Sequence, residues 1–153
     1  MVRYLDKDRE MGLLGPMFDI LYRNMDPIAP FQGSFQEERA GWIVCIGEAL
    51  KKPPRKMLLL YAGETLAGFC MYYIRGDILM VEEVQISRPY QRTVLTAELF
   101  RFIRCELLPQ VRWVEAYADR RNTASQQLMK KLGMEQIGDD GSYLHFRMDA
   151  SQK

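Results

Sequence analysis

Hydrophobic and polar positions follow two different periods along the chain, and the period changes near Lys56. The segment Asp6–Asn24 predicts a helix that the pair Gly15-Pro16 bends or breaks. Its apolar residues recur at helical spacing: Met11, Leu14, Met17, Phe18, Leu21 and Tyr22. A short strand at Val2–Leu5 precedes this helix, and the turn-forming segment Asp26–Phe35 follows it as a loop.

A second helix has a clearer start signal. Ser34 and Glu37 have the spacing of a capping box, and they precede an apolar pattern that runs to Leu50. The segment Lys51–Pro54 contains two prolines and ends this helix.

After Lys56, short apolar runs separated by glycine-containing turns predict strands. Turns at 62–64 and 75–77 divide residues 56–86 into three strands, which short turns make antiparallel. The remaining elements are then a helix at Thr93–Leu108, a strand at Val111–Ala118, a helix at Asn122–Leu132 capped by Gly133, and strands at Met134–Ile137 and Ser142–Asp149. The order predicts an α/β fold, with a mixed, mostly antiparallel sheet of about six to seven strands flanked by about four helices.

The strand-helix-strand unit from Val81 to Ala118 is expected to be parallel and right-handed. The length of 153 residues and the hydrophobic content of 48% fit a single domain spanning residues 1–153. The net charge of +1 gives no reason to expect a nucleic acid or a membrane surface as a partner.

The three cysteines lie far apart in apolar stretches, which predicts buried free thiols and neither a disulfide framework nor a metal site. They are Cys45, Cys70 and Cys105. The chain begins with charged residues and has no apolar run of membrane-spanning length, so a cytoplasmic protein is expected.

Two stretches carry a resemblance to a known family. The stretch EEVQISRPYQRTVLTAELF is similar to a strand-turn-helix whose usual pattern is a strand ending in Val or Ile, then Gln/Arg-x-x-Gly-x-Gly/Ala. The stretch NTASQQLMKKLGM matches a second pattern, with six residues in place: Asn122, Ser125, Leu128, Lys131, Leu132 and Gly133. Together they resemble the GNAT superfamily of N-acetyltransferases, and the resemblance extends over the whole chain.

The resemblance implies transfer of an acetyl group from acetyl-CoA, as co-substrate, to an amine. The pantetheine would lie between the strands that end at Ile86 and Ala118, and the pyrophosphate would lie on the turn Gln91–Thr96. A helix N-terminus suits this role because its N–H groups are unpaired and carry partial positive charge. The expected cofactor-binding residues are Val84, Ile86, Gln91, Arg92, Thr93, Val94, Leu95, Thr96, Asn122, Ser125 and Met129.

Val94 and Thr96 occupy the two glycine positions of the family pattern, and no glycine occurs between Gly76 and Gly133. Glycine would let the backbone approach a phosphate closely. The side chain of Val94 either points away from the phosphate or occupies its place. A helix start that binds nothing is the alternative interpretation of this turn.

The catalytic candidates are Glu82 and Glu83, because the acceptor amine must lose a proton before it attacks the thioester. Successive side chains of a strand point to opposite faces, so only one of the two is expected to face the acceptor. The family often has an acidic residue at the position of Glu82, which makes Glu82 the expected base. Both glutamates could also be ordinary surface carboxylates of the sheet. The backbone N–H of Ile86 is the expected oxyanion donor.

Many family members protonate the departing thiolate with a tyrosine, and Met129 occupies that position here. Tyr90, Tyr117 and Tyr143 are the possible substitutes, although packing is the commoner role of such residues. The only histidine, His145, is expected to be structural. Asn122 either caps the following helix, contacts the cofactor, or does both.

The family's acceptor site is covered by the region that corresponds to the loop Asp26–Phe35. Its residues Asp26, Phe31 and Gln32 are the expected substrate-binding residues. The sequence therefore favours an N-acetyltransferase that acts on a small amine or an exposed protein amino group, with a homodimer as a possible assembly. The alternative is a non-catalytic protein of the same fold that senses acyl-CoA or mediates protein interactions.

Overall fold

A seven-stranded sheet organises the protein, whose computed structural model describes residues 1–151. The strand order is β1-β2-β3-β4-β5-β7-β6. The strands are β1 (Val2–Tyr4), β2 (Arg55–Ala62), β3 (Thr65–Arg75), β4 (Ile78–Ile86), β5 (Trp113–Asp119), β6 (Glu135–Asp139) and β7 (Tyr143–Asp149). The α-helices are α1 (Leu14–Met25), α2 (Phe35–Leu50), α3 (Val94–Phe102) and α4 (Thr123–Lys131). The predicted mixed, mostly antiparallel sheet with four helices is confirmed.

The start of α1 differs from the prediction. A short 3₁₀ turn at Met11–Leu13 precedes the helix, and Pro16 lies in its first turn. The helix is not broken there, because the first N–H groups of a helix have no intrahelical partner for proline to remove. The predicted capping box of α2 is confirmed, since Ser34 Oγ accepts from the Glu37 N–H and the Glu37 carboxylate accepts from the Ser34 N–H.

The predicted helix Thr93–Leu108 is regular only in its first part. After α3 the chain continues as a π-helical turn at Ile103–Leu107 and a 3₁₀ turn at Leu108–Gln110. Pro109 explains the change, because it has no N–H to donate to the carbonyl four residues earlier. Strand β5 consequently begins at Trp113.

The two faces of the sheet bury different side chains, as the period of two requires. Helices α1 and α2 cover one face, on which Phe18 packs with the strand residues Met57, Leu59, Phe69 and Met71. We call this the α1/α2 face. The α3 face buries the alternate strand positions: Leu58, Leu60, Cys70, Tyr72, Leu79, Val114, Ala116 and Phe146.

The predicted burial of the three cysteines is correct for one of them. Cys70 is buried on the α3 face, and burial raises the pKa of its thiol to about 12. Cys45 and Cys105 are exposed. Both lie on outer surfaces of helical segments, where an apolar neighbourhood in sequence does not imply burial.

Strands β4 and β5 run parallel, as predicted, but only over their first halves. Their register extends from Ile78 opposite Trp113 to Val81 opposite Ala116. Beyond that point the two strands have no further paired residues, and a gap opens between their ends. Among residues 1–151, no helix has the length and apolarity needed to cross a membrane.

Candidate active site

The gap between β4 and β5 is lined by backbone groups. The Ser87 N–H donates to the Ala67 carbonyl at 2.7 Å, so Ser87 and every second residue before it, as far as Glu83, are the residues whose backbone groups bond to β3. Because these alternate in an antiparallel ladder, Val84 and Ile86 direct their N–H and C=O groups away from β3 and into the gap. The structure therefore places Val84 and Ile86 at the position where the pantetheine was expected.

The turn after β4 is held by its own side chains. Gln91 Nε2 donates to the Ile86 carbonyl at 2.8 Å. Thr93 caps α3, since its hydroxyl accepts from the Leu95 N–H at 3.3 Å and donates to the Tyr90 carbonyl at 2.6 Å. Thr96 also donates to the Tyr90 carbonyl, at 3.4 Å. The threonine side chains thus fix the turn from within.

The start of α3 leaves backbone donors available. Within residues 1–151, the N–H groups of Val94 and Thr96 have no hydrogen-bond acceptor. The side chain of Val94 is 74% exposed and lies beside these donors. Arg92 adds an exposed charge, and its φ of 58° places it in the left-handed region, where a side chain costs roughly 1 kcal/mol. This arrangement fits an anionic group such as a pyrophosphate.

A β-bulge changes the orientation of the two glutamates. Tyr72 pairs with Val81, but Met71 pairs with Glu83, so Glu82 is the extra residue on β4. Met71 lies on the α1/α2 face, and Glu83 therefore lies there too. The prediction that only one of the two carboxylates faces this side is wrong, because the bulge interrupts the alternation on which it depended.

Glu82 also lies on the α1/α2 face, as its contact with Arg55 shows. Arg55 is a residue of β2, and its side chain lies on the same face as that of Met57. The Arg55 guanidinium donates two hydrogen bonds to the Glu82 carboxylate, at 2.5 and 2.7 Å. Arg55 also lies over the ring of Tyr73, 5.2 Å from its centroid. Both charged groups are mostly buried, so Glu82 is held as one half of an ion pair.

Among residues 1–151, Glu83 has no cationic partner. Its Oε2 atom accepts a hydrogen bond of 2.8 Å from the Gln85 side chain. Burial raises the pKa of Glu83 to about 7, the Gln85 hydrogen bond opposes this, and the charge of Glu82 adds to it. A carboxylate with a pKa near neutrality suits a general base, because it is both present as the base and strong enough to take a proton.

Asn24, which was not among the expected site residues, reaches from α1 to the end of β4. Its Nδ2 atom donates to Gln85 Oε1 at 3.0 Å and to the Ile86 carbonyl at 2.9 Å. Asn24 follows Met17 and Leu21 at helical spacing. A polar residue on the apolar face of a helix was the available signal for a buried contact.

The start of α4 lies beyond the end of β5. Asn122 caps this helix, since its Oδ1 atom accepts from the Ser125 N–H at 3.1 Å. The other end of its amide lies 3.8 Å from the sulfur of Met25, at the end of α1. Met129 packs partly buried against the core of the α3 face. The capping role of Asn122 is thus confirmed, while its contact with a cofactor stays a prediction.

Two of the three expected substrate-binding residues hold their own loop. Asp26 accepts a hydrogen bond from the Phe31 N–H at 3.1 Å, and the Phe31 ring stacks on Tyr22 at 5.3 Å. Gln32 is exposed. Asp26 and Phe31 therefore shape the loop, and Gln32 is the member of this set with a free side chain.

The tyrosine candidates have different surroundings. Tyr90 is partly buried against the α3-face core, whereas Tyr117 and Tyr143 are 49% and 48% exposed. Tyr117 stacks on His145 with ring centroids 4.2 Å apart. His145 Nε2 lies 2.6 Å from the Glu115 carboxylate, which also accepts from Arg147. This network links β5 and β7 and agrees with the structural role expected for His145.

No protein-family model matches the chain, and no curated protein matches it. Solved structures do match, over nearly its whole length. A probable acetyltransferase of the GNAT family from Chromobacterium violaceum has a TM-score of 0.72 and 18% identity, covering 99% of this chain and 87% of that one. The PaiA N-acetyltransferase of Thermoplasma acidophilum, in complex with coenzyme A, has a TM-score of 0.75 and 15% identity, covering 97% and 98%.

The Campylobacter jejuni N-acetyltransferase PseH, in complex with acetyl coenzyme A, has a TM-score of 0.63 and 13% identity, covering 97% of this chain and 99% of that one. At these identities the likeness is one of fold. The chain has the fold of the GNAT superfamily of N-acetyltransferases.

Proposed function

We propose that the protein is an acyl-CoA-dependent N-acetyltransferase that moves an acetyl group to the amine of a small molecule or an exposed protein amino group. The observation that supports the proposal is Glu83, a carboxylate that has no cationic partner among residues 1–151, has a pKa of about 7, and precedes Val84, whose backbone lines the gap. The complexes of PaiA with coenzyme A and of PseH with acetyl coenzyme A support the choice of co-substrate.

The residues around the gap fit acetyl-CoA in two places. The unpaired N–H groups of Val94 and Thr96, with the charge of Arg92, suit the pyrophosphate. The Val84 backbone groups face the gap, where an extended chain with amide groups can bond to them as an added strand would, and this leaves the Ile86 N–H for the thioester carbonyl.

The reaction needs one base and one oxyanion donor from the chain. Glu83 takes a proton from the acceptor ammonium, and the free amine then forms a bond to the thioester carbon. The Ile86 N–H stabilises the negative charge that develops on the carbonyl oxygen. The nitrogen, now bonded to the thioester carbon, loses a second proton to water, the carbon–sulfur bond breaks, and the sulfur leaves as a thiolate that water protonates. A thiol of pKa about 8.5 is an adequate leaving group at neutral pH, so Met129 in place of an acid slows the step without blocking it.

A second function is favoured by three positions. Val94 and Thr96 replace the glycines of the family pattern, and Met129 replaces its tyrosine. A non-catalytic protein that senses acyl-CoA or binds another protein would retain the fold while losing these groups. The two functions differ in whether an amine is ever acetylated.

Calorimetric titration with acetyl-CoA and with desulfo-CoA tests the first step. Micromolar binding of both, followed by acetylation of at least one compound in a panel of primary amines, is the result expected for the enzyme. Binding without turnover of any amine would favour the sensor. Failure of both ligands to bind would overturn the proposal.

A further inference from the structure

Three side chains form a continuous hydrogen-bonded chain on the α1/α2 face, beginning in α1 and ending at Glu83. Asn24 Nδ2 donates to Gln85 Oε1 at 3.0 Å, and Gln85 Nε2 donates to Glu83 Oε2 at 2.8 Å. Gln85 is only 7% exposed, which is unusual for a glutamine. Both ends of its amide have a partner, because the oxygen accepts from Asn24 and the nitrogen donates to Glu83.

The direction of the Gln85 amide is set by Asn24. An amide can turn by 180° and exchange its oxygen and nitrogen. If the Gln85 amide turned, its NH₂ group would face the NH₂ group of Asn24, and two donors would meet. Asn24 therefore keeps the Gln85 oxygen on its own side and the Gln85 nitrogen toward Glu83. In this orientation Gln85 offers a donor, which favours the ionised form of Glu83.

We propose that Gln85 is a positioning residue for the general base Glu83, and that Asn24 fixes the orientation of Gln85 from helix α1. This rests on the proposed function, because it assigns Glu83 the role of base. The same Asn24 amide nitrogen donates to the Ile86 carbonyl, which also accepts from Gln91 in the turn before α3. The base and the turn are thus anchored by one residue.

Other charges on this face are independent of the chain. Helix α1 contributes the neutral Asn24 at this point, and Cys70, a β3 residue buried on the opposite face, lies near Glu83. The titratable groups on this face include Tyr22 of α1 and, from the strands, Arg55, Tyr61, Tyr73, Arg75, Glu82, Glu115, Tyr117, Asp119, His145 and Arg147. Substitutions at positions 24 and 85 leave all of these in place, so a change in the titration of Glu83 reports on the amide chain itself.

The test follows the ionisation of Glu83 by ¹³C NMR in protein labelled at glutamate side-chain carboxyls. The Glu83 signal is assigned with Glu83→Gln. Gln85→Leu removes the donor, and we expect the Glu83 midpoint to move about 1 pH unit more alkaline. Asn24→Leu releases the amide to turn, and we expect a smaller movement in the same direction. Both variants are checked for native circular dichroism.

The matched control is Gln91→Leu, which removes the other donor to the Ile86 carbonyl without touching Gln85. Its Glu83 midpoint is expected to stay where it is. A merely structural role would lower the unfolding temperature of the Gln85 and Asn24 variants and leave the midpoint unmoved, and that result would overturn the proposal. The measurement needs neither acetyl-CoA nor an acceptor, so a failure here is distinct from a failure to bind acetyl-CoA.

Discussion

Glu82 and Arg55 form a two-bond ion pair that spans β3, whereas the partner of Glu83, the next residue, within residues 1–151 is a neutral amide. The β-bulge places both carboxylates on one face, so their difference lies in their partners and not in their direction. Both oxygens of the Glu82 carboxylate are occupied by hydrogen bonds from the Arg55 guanidinium. This difference in partners is the reason that the proposed function assigns the general base to Glu83 and not to Glu82.

We expect Glu83→Gln to lower kcat/KM for amine acetylation by about 10² to 10⁴-fold, because it removes the general base. Glu82→Gln is expected to lower kcat/KM by less than tenfold and to destabilise the protein by about 1 to 3 kcal/mol, because Arg55 loses its charged partner. Steady-state kinetics and urea unfolding of both variants measure this. The reverse order of activity losses would assign the base to Glu82.

The pKa of Glu83 also predicts how stability depends on pH. Burial raises this pKa from the ordinary value of 4.5 to about 7. A carboxyl whose pKa rises on folding contributes stability below its unfolded pKa, and that stability is lost as the pH rises through the folded value. The Glu83→Gln variant cannot ionise at this position. Relative to that variant, the free energy of unfolding of the unchanged protein is expected to fall by about 2 to 3 kcal/mol between pH 4 and pH 8.

Urea unfolding at several pH values measures this difference in the free energy of unfolding. The matched control is Glu64→Gln, in the exposed turn between β2 and β3. Its free energy of unfolding relative to the unchanged protein is not expected to show this change between pH 4 and pH 8. A constant difference between Glu83→Gln and the unchanged protein from pH 4 to pH 8 would contradict the assignment.

Val94→Gly is expected to strengthen acetyl-CoA binding, because the side chain lies beside the N–H groups that a phosphate needs. Val44 in α2 is also an exposed helical valine, at 66%, and Val44→Gly is the matched control. Each change costs roughly 0.5 kcal/mol of helix stability, but only the first is expected to change the calorimetric affinity. Equal affinities in all three proteins would mean that Val94 already points away from the phosphate.

Gly68→Ala is expected to destabilise the protein by about 1 to 3 kcal/mol. A Cβ atom at this position would lie 2.5 Å from the Gln85 carbonyl oxygen and 3.2 Å from Ile86 Cα, and both are backbone atoms of β4. Gly41→Ala in α2 is the control, since no atom lies within 4 Å of its added Cβ, and it is expected to stabilise the protein by up to 1 kcal/mol. Thermal unfolding of the two variants distinguishes them.

The sequence predicted the elements well because each is encoded locally. The spacing of apolar residues marked the strands β2 to β4, and the Ser34–Glu37 pair marked the start of α2. The bulge at Glu82 was not predictable in this way. The bulge depends on how β4 pairs with β3. The alternation of side chains assumes one residue opposite one residue, and a bulge places two residues opposite one.

The role of Asn24 was hidden for a similar reason. Its partners Gln85 and Ile86 are distant in sequence, and only the packing of α1 on the sheet brings them within hydrogen-bond distance. The exposure of Cys45 was missed because α2 carries apolar residues on its outer side as well as its inner side. In both cases the local pattern was sound, and the tertiary arrangement decided the outcome.

The Ile86 carbonyl accepts from two side chains that belong to opposite halves of the chain, Asn24 and Gln91. Loss of either donor leaves the carbonyl with one bond, whereas loss of both leaves it with none. Substitutions of Asn24 and Gln91 are therefore expected to be non-additive. Each single substitution costs little stability while the other amide is present, and the double substitution costs more than the sum of the two. The substitutions that position 24 of α1 can accept during evolution therefore depend on which residue occupies position 91, in the turn before α3.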